Sequence, residues 1–260
     1  MSEDTANLVE IFSSVQGEGP HVGCRTLFVR FGACDLRCAW CDSPHTWQPA
    51  AECRIELAPG SGRFRSVPNP VSLDISLAAA DALDVGAHRF ASLTGGEPLL
   101  QRDAVQALAR ALRTRGVRIH LETHGLARDA LEQVLPEIDV VSMDWKLSSD
   151  VRREGRSLRD LETPFHAEHE HFLRVARGAP EVVVKLVMTD STRDAELDEL
   201  ARRVAAVDSA ITVILQPVTP TGSVRESPSA ARLLEGLVRL SRQLSDVRLI
   251  PQTHRQIGAL

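Results

Sequence analysis

RFASLTGGEPLLQRDAVQALARALRTRGVRIHLET, residues 89–123, holds the fold in miniature. A β-rich run at 89–94 passes through a glycine turn into a helical stretch at 101–115, and a second β-rich run follows at 117–123. Val105, Leu108 and Leu112 recur at the 3.6-residue period of an amphipathic helix. Strand, helix, strand is the crossover unit of a parallel sheet. The alternation continues outward from this unit. LFVRFGA lies upstream at 27–33, and IDVVSMD (138–144), VVVKLVM (182–188), ITVILQP (211–217) and VRLI (247–250) lie downstream. Further helical patterns fall at 74–86, 126–135, 165–177, 192–208 and 227–245. About six βα units in a row are too few to close an eight-stranded barrel, so the expected fold is α/β, an open, partial TIM-type (β/α)6 barrel on a mainly parallel sheet. No repeat period is visible and residues 1–260 read as a single domain. The one irregular stretch, 48–72, mixes Pro, Gly, Ser and Arg and reads as a loop insertion.

Composition narrows the function. Of 260 residues, 43% are hydrophobic and 25% charged, and 30 basic against 35 acidic side chains give a net charge of -5, which argues against a broad cationic face for nucleic acid. No run approaches the roughly 20 apolar residues that cross a bilayer. The opening MSEDTANLVE has no basic n-region and no apolar h-region, so the expected location is the cytoplasm. Cysteines stand at 24, 34, 38, 41 and 53, an odd and clustered set that suits reduced thiols and ligands better than a disulfide framework.

Cys34, Cys38 and Cys41 form C-x3-C-x2-C directly after the 27–33 run, so one short loop can wrap three thiolates around one inorganic centre. Structural zinc normally closes with four ligands, and a simple electron-transfer [4Fe–4S] cluster takes four cysteines. Three cysteines leave one iron open to a reactant, unless Cys24, Cys53 or His45 completes a zinc knuckle. Thr94, Glu122, Asp144 with Lys146, Gln216, and then Gln252 and His254 all fall at carboxyl ends of the expected strands. A single polar residue there needs no more explanation than the chain leaving the core. The whole set marks the edge where parallel α/β sheets build active sites.

At the cysteine loop the chain resembles the radical S-adenosylmethionine superfamily, whose signature is this spacing after the first barrel strand. Thr94-Gly95-Gly96-Glu97-Pro98 resembles the superfamily segment that receives the methionine amino group, and its glycines are expected to let backbone approach that ligand. The resemblance implies a [4Fe–4S] cluster on Cys34, Cys38 and Cys41, with S-adenosylmethionine chelated by the open iron and cleaved on one-electron reduction to a 5′-deoxyadenosyl radical.

IFSSVQGEGP, residues 11–20, reads alone as a polar, glycine-bracketed turn. Taken with Phe28-Val29-Arg30, Trp40-Cys41-Asp42-Ser43, Glu122-Thr123-His124-Gly125, Gln216-Pro217 and Pro251-Gln252-Thr253-His254, it is similar to the 7-carboxy-7-deazaguanine synthase family along nearly the whole chain. That resemblance implies ring contraction of 6-carboxy-5,6,7,8-tetrahydropterin to 7-carboxy-7-deazaguanine with loss of ammonia, assisted by Mg2+. It also implies an external, flavodoxin-like electron donor and a homodimer. Ser43 stands where the family usually has a magnesium-binding threonine. Val15, Gln16, Gly17 and Glu18 match the pterin-recognising turn, and Arg30 matches the clamp on the substrate carboxylate, its alternative being an ion pair with a neighbouring acid. Thr94, His254 and the terminal carboxylate of Leu260 are expected to face the same substrate. Trp40, Asp42, Gly95, Gly96, Glu97, Glu122, Asp144, Trp145, Lys146, Gln216 and Pro217 match cofactor positions, with Asp-Trp-Lys where many relatives carry Ser-Pro-Lys.

Cys24 and Cys53 fit no ligand position and read as structural or free thiols. His166, His169 and His171 read as the solvated face of a polar helix rather than a second metal site. The rival functions are a glycyl-radical activating enzyme, which shares the cysteine loop but has no need of QGEG or QTH, and a non-enzymatic zinc or cluster scaffold.

Overall fold

Apolar runs rich in Val, Ile and Leu become strands covered on both faces, and amphipathic stretches become the helices that cover them. The computed structural model of the chain describes residues 5–155 and 165–259. Among these, ten strands form one sheet. They are β1 (Leu8–Val15), β2 (Arg25–Phe31), β3 (Glu52–Glu56), β4 (Phe64–Pro68) and β5 (Phe90–Gly95), followed by β6 (Arg118–Thr123), β7 (Val140–Asp144), β8 (Glu181–Met188), β9 (Thr212–Pro217) and β10 (Val247–Leu249). Their order is β10-β9-β8-β7-β6-β5-β2-β1-β3-β4, an open linear arrangement. Every neighbouring pair from β10 through to β2 is parallel, as the alternation requires.

The helices are α1 (Leu73–Ala82), α2 (Arg102–Arg113), α3 (Arg128–Val134), α4 (His166–Ala176), α5 (Asp194–Asp208) and α6 (Ala230–Ser241). Two begin on a serine cap: Ser72 accepts from the Ile75 amide and Ser229 from the Arg232 amide. α2 buries Val105, Leu108 and Leu112, each side chain contributing about 1.5–3 kcal/mol on removal from water. No described helix is long and apolar enough to cross a membrane.

Two stretches differ from the sequence reading. Residues before the QGEG turn form β1, paired antiparallel with β2 so that Phe12 faces Phe28 and Val15 faces Arg25. A register shift between Leu8 and Glu10 breaks the period-two alternation that would have announced this strand. The expected 48–72 insertion contains the β3–β4 hairpin, which extends the sheet beyond β1. In β3, Cys53 and Ile55 turn into the core while Glu52 and Arg54 face out. Arg54 lies 4.2 Å over the Phe64 ring across the hairpin.

Of the α4 histidines, His171 is exposed as expected, but the other two depart from expectation. His166 and His169 are buried, and they hold the segment after β7. The Trp145 indole donates to His166 Nδ1 at 2.9 Å, and the Lys146 amide donates to His169 Nε2 at 2.9 Å. His169 Nδ1 then donates to the Gly125 carbonyl at 2.8 Å. Burial pushes His169 down to about 3, so the ring stays neutral and can accept from one side while donating to the other.

Candidate active site at the carboxyl edge of the sheet

β2 ends at Phe31 and runs directly into the cysteine loop. Leu36–Cys38 pairs antiparallel with Val151–Arg153, which braces the loop from outside. Cys34, Cys38 and Cys41 line one cavity of about 130 Å3, together with Trp40, Gly96 and Lys146. Cys24, Cys53 and His45 do not line it. Among the described residues no three His, Cys, Asp or Glu side chains converge on the position of a single ion. A four-iron cube makes a different demand, because each cysteine binds a different iron. Burial pushes Cys38 up to about 12 and Cys34 up to about 11, and raises Cys41 as well. These thiols ionise when metal charge replaces their protons.

Gly95 and Gly96 line this cavity, but packing is what excludes a side chain at either position. A Cβ on Gly95, where φ is +117°, would lie 2.4 Å from the Phe31 carbonyl oxygen, and one on Gly96 would lie 2.1 Å from that of Ala33. The glycines therefore weld the end of β5 to the root of the cysteine loop. Glu97 lines neither of the two joined cavities. Its carboxylate accepts from the Leu99 amide, the Thr123 hydroxyl and the His124 amide, at 3.0, 2.8 and 2.8 Å. Trp145 and Pro217 also lie outside both linings, Trp145 as a buried core residue.

The second cavity, about 280 Å3, opens beside the first and shares Glu18, Trp40, Asp42, Thr94, Glu122 and Lys185 with it. Val15, Gly17, Arg30, Gln216, Gln252 and His254, all foreseen from strand ends and motifs, line the second cavity but not the first. Gln16 is buried. Its Nε2 donates to Glu122 at 2.8 Å and its Oε1 accepts from the Glu18 amide at 3.0 Å, which sets the turn. Thr94 and Ser92 also donate to Glu122, at 3.0 and 2.6 Å. Burial alone would raise the Glu122 carboxyl, but His120, the Ser92 and Gln16 donors and the Lys185 charge outweigh it and hold the group below its ordinary value.

Arg30 makes the ion pair named as its alternative role. Its Nε donates to Glu10 Oε1 at 2.9 Å, while the residue still lines the cavity. The chain end docks on the QGEG turn. The Thr253 amide donates to the Gly17 carbonyl at 2.9 Å, Gln252 Nε2 donates to Glu18 Oε1 at 2.7 Å, and Gln252 also reaches Asp42 Oδ2 at 3.1 Å. Leu260 lies outside the described residues.

Two unsatisfied atoms indicate what the cavity accepts. Asp144 Oδ1 and Gln216 Oε1 are buried with no hydrogen-bond partner among the described residues. Both are acceptors, and an unmet buried acceptor is costly. S-adenosylmethionine carries complementary donors in its ammonium, ribose hydroxyls and adenine amine, so these residues fit it. Asp144 Oδ2 is already held by Lys146 Nζ at 2.9 Å, and Lys146 lies 4.5 Å over the Trp40 ring. Burial would raise the Asp144 carboxyl, but Lys146 and Lys185 hold it low.

The magnesium position is tested by Ser43. Its hydroxyl donates to Asp42 Oδ1 at 2.8 Å, which leaves the oxygen lone pairs available to a hard cation. Desolvation raises Asp42, but Ser43, Gln252 and Arg255 outweigh it, so a carboxylate stands beside that oxygen. The fit is to an ion that keeps several waters.

Sequence reasoning missed Lys185, which pairs with Glu18 and stands 3.4 Å from Asp144. The available signal was a lone charge inside VVVKLVM, which cannot be buried cheaply without a partner.

Comparison with known proteins gives the family. Residues 28–204 match the model of the radical SAM superfamily. The chain is 39% identical to the 7-carboxy-7-deazaguanine synthase of Geobacter sulfurreducens over 100% of both chains. It is 31% identical to that of Methanocaldococcus jannaschii over 96% of this chain and 99% of the relative. In three dimensions it resembles QueE from Escherichia coli, with a TM-score of 0.60, 22% identity and coverage of 96% of this chain and 94% of the other, a likeness of fold. A three-cysteine loop on a parallel α/β sheet, joined to full-length similarity of this order, makes the chain a member of the 7-carboxy-7-deazaguanine synthase family within the radical SAM superfamily.

Proposed function

We propose that the chain converts 6-carboxy-5,6,7,8-tetrahydropterin into 7-carboxy-7-deazaguanine and ammonia, with a [4Fe–4S] cluster, S-adenosylmethionine and Mg2+. The observation that carries this reading is the junction of the two cavities. One cavity holds the three cysteines, the other holds Arg30 and the unmet acceptor of Gln216, and Gln16, Glu18, Thr94 and the unmet acceptor of Asp144 stand where the two meet. When bound, the cluster and S-adenosylmethionine together supply a carbon radical that takes hydrogen from the substrate. The chain's own residues bind and orient. Glu18 accepts from the N–H groups of the amino-pyrimidinone edge, and Arg30 offers its terminal nitrogens to the substrate carboxylate while Glu10 holds Nε. Asp144 and Gln216 receive cofactor donors, and Lys146, on Asp144 and the Trp40 ring, stiffens that wall. Ser43 contributes its hydroxyl oxygen to the magnesium ion. Gln252 and His254, docked on the turn, keep bulk water from the substrate side.

The same proposal treats residues 1–260 as one catalytic unit working in the cytoplasm, where its five cysteines, all free in the structure, stay reduced. It includes a flavodoxin-like electron donor reaching the cluster from the loop's outer side. There Cys38 and Cys41 also line a cavity of about 410 Å3 with Arg37 and Arg152. It includes a homodimer as well, in keeping with the exposed Leu234 and Val238 one turn apart on α6.

The deciding experiment incubates anaerobically reconstituted protein with the tetrahydropterin, S-adenosylmethionine, magnesium and a reductant. A product with the mass of 7-carboxy-7-deazaguanine is expected, and its absence from fully cluster-loaded protein overturns the reading.

A further inference from the structure

β8 carries Val182, Val183 and Val184 into Lys185 and leaves through Leu186 and Val187. An ammonium in such a strand persists only where carboxylates meet it. Lys185 Nζ pairs with Glu18 Oε2 and stands 3.4 Å from Asp144 Oδ2, and its side chain is 13% exposed. Burial would favour the neutral amine, but Asp144 and Glu18 outweigh it and raise the group, so Lys185 is a fixed cation. The other Glu18 oxygen accepts from Gln252 at 2.7 Å. A carboxylate has about four lone-pair sites. One donor on each oxygen therefore stops the group rotating and leaves each oxygen able to accept again. Asp144 is shared in the same way: Lys146 and Lys185 both engage Oδ2, while Oδ1 has no partner among the described residues.

We propose that Lys185 is a positioning residue of the reaction, fixing the Glu18 carboxylate in one orientation for the paired N–H donors of an amino-pyrimidinone and tying it to Asp144 on the cofactor wall. The inference rests on the reading of Glu18 as the residue that binds the pterin edge. Although Lys185 lines both cavities, its ammonium is engaged by Glu18 and Asp144. It acts through Glu18, and a carboxylate freed from it rotates toward Gln252 alone and loses the pair of acceptor directions the substrate needs.

The test is a double-mutant cycle on cluster-loaded protein with S-adenosylmethionine and no reductant, reading equilibrium binding of 6-carboxy-5,6,7,8-tetrahydropterin. Lys185→Met is expected to weaken binding roughly 10- to 100-fold, the range for a hydrogen bond to a charged group. Glu18→Gln should weaken it comparably, and the double variant should bind no worse than Glu18→Gln within about twofold. In turnover, Lys185→Met should raise KM far more than it lowers kcat. Unchanged affinity in Lys185→Met, or an equal loss from it in both backgrounds, overturns the inference, because Lys185 would then act elsewhere or only on the fold. Unchanged affinity in Glu18→Gln instead overturns the reading of Glu18 beneath it. Should Lys185→Met fail to fold, Lys185→Gln, which removes the charge but keeps a polar side chain on the strand, enters the same cycle under the same criterion.

Discussion

Gly17→Ala tests whether the docked chain end belongs to the substrate site. Gly17 does not owe its identity to a positive φ. A Cβ there would lie 2.0 Å from His254 Nδ1 and 2.6 Å from His254 Cβ. Ordinary contact begins near 3.4 Å, so the ring must retreat by about 1.4 Å, and the side chain's own base is too close for a rotamer change alone to clear it. The retreat pulls on Thr253, whose amide and hydroxyl both donate to the Gly17 carbonyl, at 2.9 and 3.2 Å. It also pulls on Gln252, which holds Glu18 at 2.7 Å. Losing one neutral hydrogen bond costs about 0.5–1.5 kcal/mol, and losing one to a charged group about 1.5–3 kcal/mol. Loss of one of each therefore weakens substrate binding by roughly 2–4 kcal/mol, or about 30- to 1000-fold. Global stability should fall much less, because the displaced segment lies beyond the last strand of the sheet. The measurement is KM for the tetrahydropterin beside a thermal melt of the same protein. A KM within threefold of wild type would refute the claim that His254 and Gln252 shape the pocket. A collapse in melting temperature would show that the docked segment supports the fold instead.

Three further outcomes are expected. Glu97→Gln puts an amide where three donors converge; it should destabilise the protein by about 1–3 kcal/mol while leaving the affinity for S-adenosylmethionine nearly unchanged, as read by denaturant unfolding and a binding titration. His169 is held neutral down to about 3 against an ordinary 6.5, so the native state takes up its proton later than the unfolded chain as pH falls, and stability drains away from about 6.5 downward. Wild type should thus lose about 2 kcal/mol more than His169→Gln between pH 7 and pH 5, and equal losses in urea unfolding at the two pH values would contradict this. Ser43→Ala removes the hydroxyl that stands 2.8 Å from Asp42; it should shift the magnesium dependence of turnover to higher concentration without lowering iron and sulfide content, and an unaltered metal response would move the ion elsewhere.

Much of the fold was legible because its signals are local. The parallel strands are short apolar runs, the helices between them carry a 3.6-residue stripe, and the three cysteines are neighbours in sequence. What stayed hidden depends on distance or on a broken pattern. β1 loses its alternation at the shift between Leu8 and Glu10, and the β3–β4 hairpin keeps its alternation inside a stretch whose Gly, Pro and Arg content reads as loop. His169 looked solvated because its helix is polar, whereas Gly125 and Lys146, its partners, lie 44 and 23 residues away. Lys185 meets Glu18 across 167 residues, and Gln252 meets it across 234, so no window on the sequence contains either pair.

The candidate site shows why polar residues at strand ends divide once their bonds are counted. Thr123 and Glu97 come from the same edge of the sheet as Asp144 and Gln216, and by position alone the four are equivalent. Glu97 accepts three donors, Thr123 supplies one of them, and neither has an unmet buried atom. Asp144 and Gln216 each keep a buried acceptor with no partner among the described residues, although Lys146 and Lys185 both reach the other oxygen of Asp144. Leaving such atoms unmet is destabilising, and of the three buried side-chain atoms without a hydrogen-bond partner among the described residues, two fall in this one cavity while the third, His21 Nε2, lies 2.7 Å from Glu181 elsewhere. A ligand rich in donors removes that cost on arrival. On the proposed function, the unmet pair separates residues that hold the scaffold from residues that would meet the cofactor, a distinction that strand position could not make.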